Sequence, residues 1–337
     1  MNFTRVGTYE GHSQHEVEEK KNPVGQQTPP KTTKVASFSA VITTKNRLNS
    51  LKRLLCALRE QDVQPAEVII IDNSDEPLKI QDLLPAYEEL NISIHHKNTS
   101  RGRKRNFGVK VATHPYVMLC DDDVEVHFDY LSRIRKYLKE NPTATFVSGT
   151  IMYHDGQNGW QEYFGNPEQP SSKWRKFFQQ SRHGENIAKH HGWTKAGWPM
   201  FTASDDKVVS TSYYMLKAAV VRRDVLLQYP FDERIVHPVD EGYGLFLHIR
   251  KAHVLRDIRV LTHCDHKRSQ AREYFFQVMA IDYFQTKYKG HNPGYRKWLM
   301  WSLVGYGMMF LKKGQLRSFA MNLKAFRMLL SGQNIYR

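Results

Sequence analysis

Between residue 35 and about residue 140, short continuous apolar runs alternate with segments of helical period, and no other feature constrains the fold as much. ASFSAVITT (36–44), EVIIID (67–72) and YVMLC (116–120) read as strands, and Asn91 to His95 as a shorter one. Apolar runs without polar alternation belong to strands covered on both faces. Between them, Leu51, Leu54, Leu55 and Leu58 recur at helical spacing, with Asn49 and Ser50 as candidate caps. Arg103 to Ala112 reads as a second helix. A third runs from Phe128 to Leu138, with Phe128, Leu131, Ile134 and Leu138 turned inward. Strands separated by helices predict an α/β fold, a mixed and mostly parallel sheet with helices on both faces.

Open sheets of this kind take ligands at the carboxyl ends of their strands. Those ends carry Thr43-Thr44, Asp72-Asn73 and Asp121-Asp122-Asp123. Side chains alternate along a strand, so Asp121 and Asp123 point to one side. Two carboxylates sharing a side repel each other unless a cation lies between them. A hard divalent ion such as Mg²⁺ takes oxygen ligands, commonly one or two carboxylates plus substrate phosphates. The acidic triplet therefore points to a metal–diphosphate.

The succession ITTKNR, VIIIDNSDEP, RGRKRNFG, YVMLCDDDV, FDERI and HKRSQAR resembles the family 2 glycosyltransferases of the GT-A fold, over roughly residues 36 to 272. The resemblance implies a Rossmann-like nucleotide-sugar site. Thr43, Thr44, Asn46 and Arg47 form its first turn, Asp72 with Asn73 meets the base, and Arg101, Gly102, Arg105 and Asn106 lie beside the nucleotide. Asp121, Asp122 and Asp123 form the DXD motif; Asp121 and Asp122 serve the nucleotide sugar, and Asp121 and Asp123 hold Mg²⁺ or Mn²⁺. His266 is implied as a third metal ligand, with His263 as the alternative, and Arg272 as a partner of the diphosphate. Phe231-Asp232-Glu233 matches the segment preceding the acceptor-side acidic motif. That motif is reversed here as Asp240-Glu241, and Arg250 follows at a longer spacing. Glu241 or Asp240 is the expected base, with Asp205 and Asp206 as further candidates. These types suit the chemistry: glycine lets backbone approach a ligand, arginine forks onto phosphate, and a carboxylate at a helix N-terminus stays ionised. Arg103 and Lys104 read as solvated.

The implied activity is metal-dependent, inverting transfer of a sugar from a nucleotide-diphosphate donor, a UDP-sugar favoured, to a hydroxyl of a saccharide or lipid-linked saccharide. A sugar-nucleotide nucleotidyltransferase is the first rival, but ITTKNRLNS lacks the glycine-rich phosphate loop expected of it. A basic nucleic-acid-binding protein would account for the net charge of +15. It would not account for the acidic triplet, so no nucleic acid is expected.

Organisation follows composition. Residues 1–34 read as a flexible polar arm. Residues 35–270 form the GT-A domain, split into a nucleotide-sugar half (35–150) and an acceptor half (151–270). Residues 271–337 form a C-terminal helical extension. SYYMLKAAVVRR (212–223) and RVLTH (259–263) read as later strands, Asp224 as a helix cap, and helices are expected from about Asp240 to Ala252 and from Arg272 to Lys289. The irregular stretch 150–205, with Trp160, Trp174, Trp193 and Trp198, is a candidate acceptor platform. WLMWSLVGYGMMFL (298–311) is shorter than the roughly 20 residues that span a bilayer. Its basic flanks suit an interfacial helix on an anionic membrane; a helix packed on the core is the other reading. Three scattered cysteines and a start without an apolar stretch predict a cytoplasmic protein, and the basic C-terminal helix, if interfacial, would put it peripherally on the inner face of the plasma membrane.

Overall fold

The computed structural model describes residues 36–154, 160–162, 172–174, 177–178, 192–200, 206–211, 214–237, 242–249, 251–263, 270–288 and 294–337. The N-terminal arm, Asp205, Asp240, Glu241, Arg250 and His266 lie outside them.

The first half alternates as its pattern predicts: β1 (Phe38–Thr44), α1 (Leu48–Arg59), β2 (Glu67–Asp72), β3 (Ile92–His96), α2 (Arg101–Val111), β4 (Tyr116–Asp121), β5 (Val124–Val126) and α3 (Tyr130–Glu140). There follow β6 (Phe146–His154), β7 (Trp160–Glu162), the single turn α4 (Ser172–Trp174), β8 (Gly192–Trp193) and β9 (Pro199–Met200). Next come β10 (Val208–Thr211), β11 (Ala219–Arg222), α5 (Arg223–Gln228), α6 (Gly242–Ile249) and β12 (Ala252–Thr262). The chain closes with α7 (Gln270–Lys287), α8 (Tyr295–Lys312) and α9 (Leu316–Leu330).

The main sheet runs β10-β12-β6-β11-β4-β1-β2-β3, with β5 beside β12 and β7 beside β6. β1 pairs in parallel with β2 and β4, β2 with β3, and β6 with β12. β11 is antiparallel to both of its neighbours, β4 and β6. Six strands thus share one direction, which makes the sheet mostly parallel. The register brings Thr43 opposite Asp121 and Thr44 opposite Asp72, so three carboxyl ends meet at one place.

Burial follows the expected faces with instructive exceptions. Leu51, Leu54, Leu55 and Leu58 of α1 are fully buried. The helix starts at Leu48 without a side-chain cap, since Leu51 N–H bonds the Arg47 carbonyl. Asn49 and Ser50 are therefore inside its first turn. α3 starts at Tyr130, which is fully buried, whereas Phe128 precedes the helix and is 56% exposed. The expected strand at 212–223 shortens to β11, because Ala218 takes a left-handed φ of 51° and breaks the extended run. β12 begins at Ala252, earlier than its apolar run suggested.

One hydrophobic cluster runs from Phe38 through β4 and β6 to Phe284, Leu303 and Leu329, so α7, α8 and α9 share the core of the sheet. Trp198 belongs to this packing and not to an open platform. Trp198 is 5% exposed, stacks on Tyr274 and donates Nε1–H to Ser302 Oγ at 3.0 Å. Trp174 packs on Phe178 and Tyr306. The side chains of Trp160 and Trp193 lie outside the described residues.

Candidate active site

The acidic triplet lies where β4 ends and turns toward β5. Each of its six carboxylate oxygens has a partner from the chain. Arg105 Nη2 donates to Asp121 Oδ1 at 2.9 Å, and Lys217 Nζ reaches Asp121 Oδ2 at 3.1 Å. Arg47 Nη1 donates to Asp122 Oδ1 at 2.6 Å, and Thr44 Oγ1 to Asp122 Oδ2 at 2.7 Å. Lys217 Nζ donates to Asp123 Oδ1 at 2.6 Å, with Arg47 Nη1 3.5 Å from Asp123 Oδ2. Three basic side chains thus face three carboxylates.

Burial makes these contacts strong, because the surrounding dielectric is low. Burial alone would raise the Asp121 carboxyl. The charges of Lys217, Arg101 and Arg105 outweigh it and hold that group well below the usual carboxylate range. Burial pushes Asp122 up to about 6, against the Thr44 hydrogen bond and the Arg47 charge. Lys217 is raised, its two aspartates overcoming the desolvation that would lower it.

Each expected residue has a definite place. Thr44, Arg47, Arg105, Asp121, Asp122 and Asp123 come together as described. Thr43 ends β1 beside them, buried and in register with Asp121. Arg101 opens α2, capped by Ser100, and its charge is felt at Asp121. Asn46, at φ 54°, clamps the loop after β2: Nδ2 donates to Asp75 Oδ2 at 2.6 Å, and Asp75 N–H returns to Asn46 Oδ1 at 2.9 Å. Asp72 is fully buried, and its carboxylate is taken by Ser74 N–H, Leu78 N–H and His96 Nδ1, at 2.9, 2.9 and 3.1 Å. It shapes its loop. Its neighbour Asn73 keeps a buried Oδ1 with no hydrogen-bond partner among the described residues, an acceptor suited to a ligand N–H.

Two residues face protein. A Cβ on Gly102 would make only ordinary contacts with the Asp232 carbonyl and Phe231 Cβ, both at 3.5 Å. Asn106 exchanges two hydrogen bonds with the backbone of Phe231, each 2.9 Å, and reaches Glu233 Oε1 at 3.2 Å. Asp232 continues the link by accepting from Tyr283 at 2.8 Å and from Lys287, tying α2 to α7. Arg272 lies at the start of α7 with its guanidinium over the Phe276 ring. No contact among the described residues joins it to the triplet. His263 Nε2 meets Glu125 Oε2 at 2.6 Å, and its backbone N–H donates to the Asp123 carbonyl at 2.8 Å. Asp206 is exposed.

Sequence reasoning missed two lysines. Lys104 is buried, not solvated: Nζ reaches the Thr44 carbonyl at 3.3 Å, and burial with the Arg101 charge pushes it down to about 8. Its spacing from Arg101 and Gly108 already placed it on one helical face with them. Lys217 stood as a lone charge in an apolar run that read as strand, and that contrast was its only signal.

The donor set suits a hard cation. Two carboxylate oxygens converge on one point, and a cation of the chain already occupies it. Among the described residues no group of three or more His, Cys, Asp or Glu side chains is placed to hold a metal ion. A divalent ion would take Asp121 and Asp123 from Lys217, with further ligands from elsewhere.

A model of the family described as Glycosyl transferase family 2 matches residues 39–207. A Bacillus subtilis (strain 168) protein described as uncharacterized glycosyltransferase YwdF is 36% identical over 126 residues, 36% of this chain and 45% of that protein. Among solved structures, residues 1–349 of S. aureus TarS superpose with a TM-score of 0.52 at 13% identity, covering 88% of this chain and 92% of that one. The same fragment in complex with UDP-GlcNAc gives a TM-score of 0.50 at 13% identity, with the same coverage. This is a likeness of fold. The chain spans less than half the length of the Bacillus protein and of the longer TarS chain.

Proposed function

Because this chain belongs to glycosyl transferase family 2, whose model covers residues 39–207, we propose that it moves a sugar from a nucleotide-diphosphate donor to an acceptor hydroxyl. The observation that carries this is the buried cluster of Thr44, Arg47, Arg105 and Lys217 around three aspartates, at the carboxyl ends of β1 and β4. A UDP-sugar is the favoured donor, since TarS, similar in fold, is described in complex with UDP-GlcNAc and with UDP. The Asn73 Oδ1 is the base-reading acceptor in this assignment, and Asp72 holds its loop.

A Mg²⁺ or Mn²⁺ ion would be held by Asp121 and Asp123, with His266 as third ligand, and would neutralise charge on the departing diphosphate. Arg101, Arg105 and Arg272 orient the diphosphate by forked hydrogen bonds. Asp240 and Glu241 directly precede α6 in sequence; one of them takes the proton from the acceptor hydroxyl as its oxygen attacks the anomeric carbon. A single displacement of this kind inverts configuration. The acceptor is a saccharide or lipid-linked saccharide.

The test is release of nucleotide from a panel of UDP-, GDP- and dTDP-sugars, with Mn²⁺ or Mg²⁺ and with chelator. Metal-dependent release from one donor, at least 100-fold lower in Asp123→Ala, is the expected result. If no nucleotide sugar binds by calorimetry with metal present, the proposal is wrong.

We further propose that the acceptor is met at an anionic membrane surface. No described helix is long and apolar enough to cross a membrane. α8 exposes Val304, Met308 and Leu311, and α9 exposes Leu316, Leu323 and Leu330, the latter three seven residues apart. Lys312, Lys313, Arg317 and Arg327 are exposed among them. Apolar stripes bordered by basic residues suit an interface with acidic headgroups. The chain should float with vesicles containing phosphatidylserine at low salt, and Met308→Glu with Leu316→Glu should reduce bound protein at least fivefold while leaving donor turnover in solution intact. Equal flotation of variant and parent would refute this surface.

A further inference from the structure

Lys217 is a cation of the chain placed where the two aspartates of the DXD motif converge, and no part of the family resemblance accounts for it. Its Nζ lies 2.6 Å from Asp123 Oδ1 and 3.1 Å from Asp121 Oδ2. The side chain is 13% exposed, so the ammonium has exchanged most of its water for these carboxylates. The backbone next to it is constrained. Ala218 has a left-handed φ of 51°, a conformation that a residue with a Cβ adopts at a cost in free energy. That conformation persists because the Ala218 carbonyl accepts a 2.8 Å hydrogen bond from the buried hydroxyl of Tyr130, and Ala218 itself is fully buried. The core thus fixes the bend from which Lys217 reaches the aspartates.

The other oxygens of the pair face Arg105 and Arg47, so a divalent ion entering between the two carboxylates meets the oxygens this ammonium holds. Magnesium takes carboxylate oxygen at about 2.0–2.1 Å, and the ammonium now holds one oxygen of each carboxylate. Two cations cannot share the pair without strong repulsion in so buried a place. Entry of the ion requires Lys217 to leave. A diphosphate arriving with the ion offers the displaced ammonium a new anionic partner.

We propose that Lys217 is a tethered cation that competes with the divalent ion for Asp121 and Asp123, so that the ion enters with the nucleotide and not before it. This rests on reading the site as one for a metal and a nucleotide sugar. Before the ion arrives, the lysine keeps the two carboxylates together. On donor binding it passes to the diphosphate, so metal and nucleotide each raise the affinity of the other by the same factor. Lys217 acts here as a positioning residue.

The experiment measures free Mn²⁺ by electron paramagnetic resonance, with and without UDP, in the parent chain and in Lys217→Gln and Lys217→Met. The parent should bind Mn²⁺ at least tenfold more weakly without UDP than with it. Both variants should bind Mn²⁺ at least tenfold more tightly than the parent without UDP, so that the gain from UDP shrinks. Lys139→Gln, which removes an exposed charge on α3 outside the site, should change Mn²⁺ affinity less than threefold. A purely structural lysine would give variants that bind metal more weakly. The proposal falls if either variant, folded by its melting transition, binds Mn²⁺ no more tightly than the parent without UDP. Absence of Mn²⁺ binding by the parent even with UDP would overturn the metal reading itself, and the proposal with it.

Discussion

Replacing Asp121 by alanine is expected to lower the stability of the folded chain by about 3–5 kcal/mol near neutral pH, because it leaves buried cations without their carboxylate. Arg105 is 2% exposed and the Lys217 side chain 13%, and each gives Asp121 a short contact. Removing both sides of such a network can be nearly neutral, whereas removing one side is not. The pH dependence follows from the direction of the shift. The folded Asp121 carboxyl is held well below its ordinary value by Lys217, Arg101 and Arg105, against the effect of burial. A depressed acid contributes stability above its unfolded pKa, about 3.9, and loses it as pH falls through the folded value. The contribution of the Asp121 carboxylate itself should therefore be fully present at pH 5 as at pH 8. The gap between parent and variant at pH 8 is reduced by the relief of Asp122, which burial raises to about 6 with help from the Asp121 charge. Urea denaturation at both pH values, with chelator present, measures it. A gap under about 1 kcal/mol, or one that collapses by pH 5, would show that the Asp121 network contributes little to folding.

The second large effect lies outside the charged cluster. A Cβ on Gly108 would stand 2.3 Å from Val41 Cγ1, closer than any real contact. Val41 is a fully buried residue of β1, and Gly108 is on the face of α2 that lies against it. Neither the strand nor the helix can yield without disturbing Thr44 on one side or Arg105 on the other. Gly108→Ala should therefore destabilise by about 2–3 kcal/mol, overpacking outweighing the roughly 1 kcal/mol that alanine gains over glycine within a helix. Donor affinity should fall with it, since α2 carries Arg101 and Arg105. Val41→Ala in the same chain should restore at least half of the loss by making room. A double variant no more stable than Gly108→Ala alone would show that the contact is not the cause.

The reach of sequence reasoning follows the range of the forces involved. Leu51, Leu54, Leu55 and Leu58 announce a buried helical face by spacing alone, and EVIIID and YVMLC announce buried strands by continuity. Both signals are local, so each survives whatever the rest of the chain does. With the rule that ligands meet strand carboxyl ends, they were enough to put Thr44, Asp72 and Asp121 near one another, as the register of β1, β2 and β4 does. The succession of motifs was enough for the family. Local pattern also marked Asn46 and Asn106 without revealing their work. Both are engaged with the chain itself, one with Asp75 and one with Phe231, and such pairings span residues far apart in sequence.

Tertiary structure alone decided what balances the aspartates. The order β4-β11-β6 puts a late strand between two earlier ones, and with it brings Lys217 to a site built from residues 44 to 123. Nothing in the local sequence fixes that insertion. It depends on the long-range pairing of β11 with β4 and β6, and on the buried Tyr130 hydroxyl that holds Ala218 in its bend. In the same way Trp198, which composition offered as a sugar platform, became core because α7 and α8 close over it. The sequence by itself determined the strands, the helices and the acidic turn, because hydrophobic period and turn chemistry act over a few residues. Which cation meets which carboxylate was left to the fold, because electrostatic pairing in a buried site depends on the whole chain having packed around it.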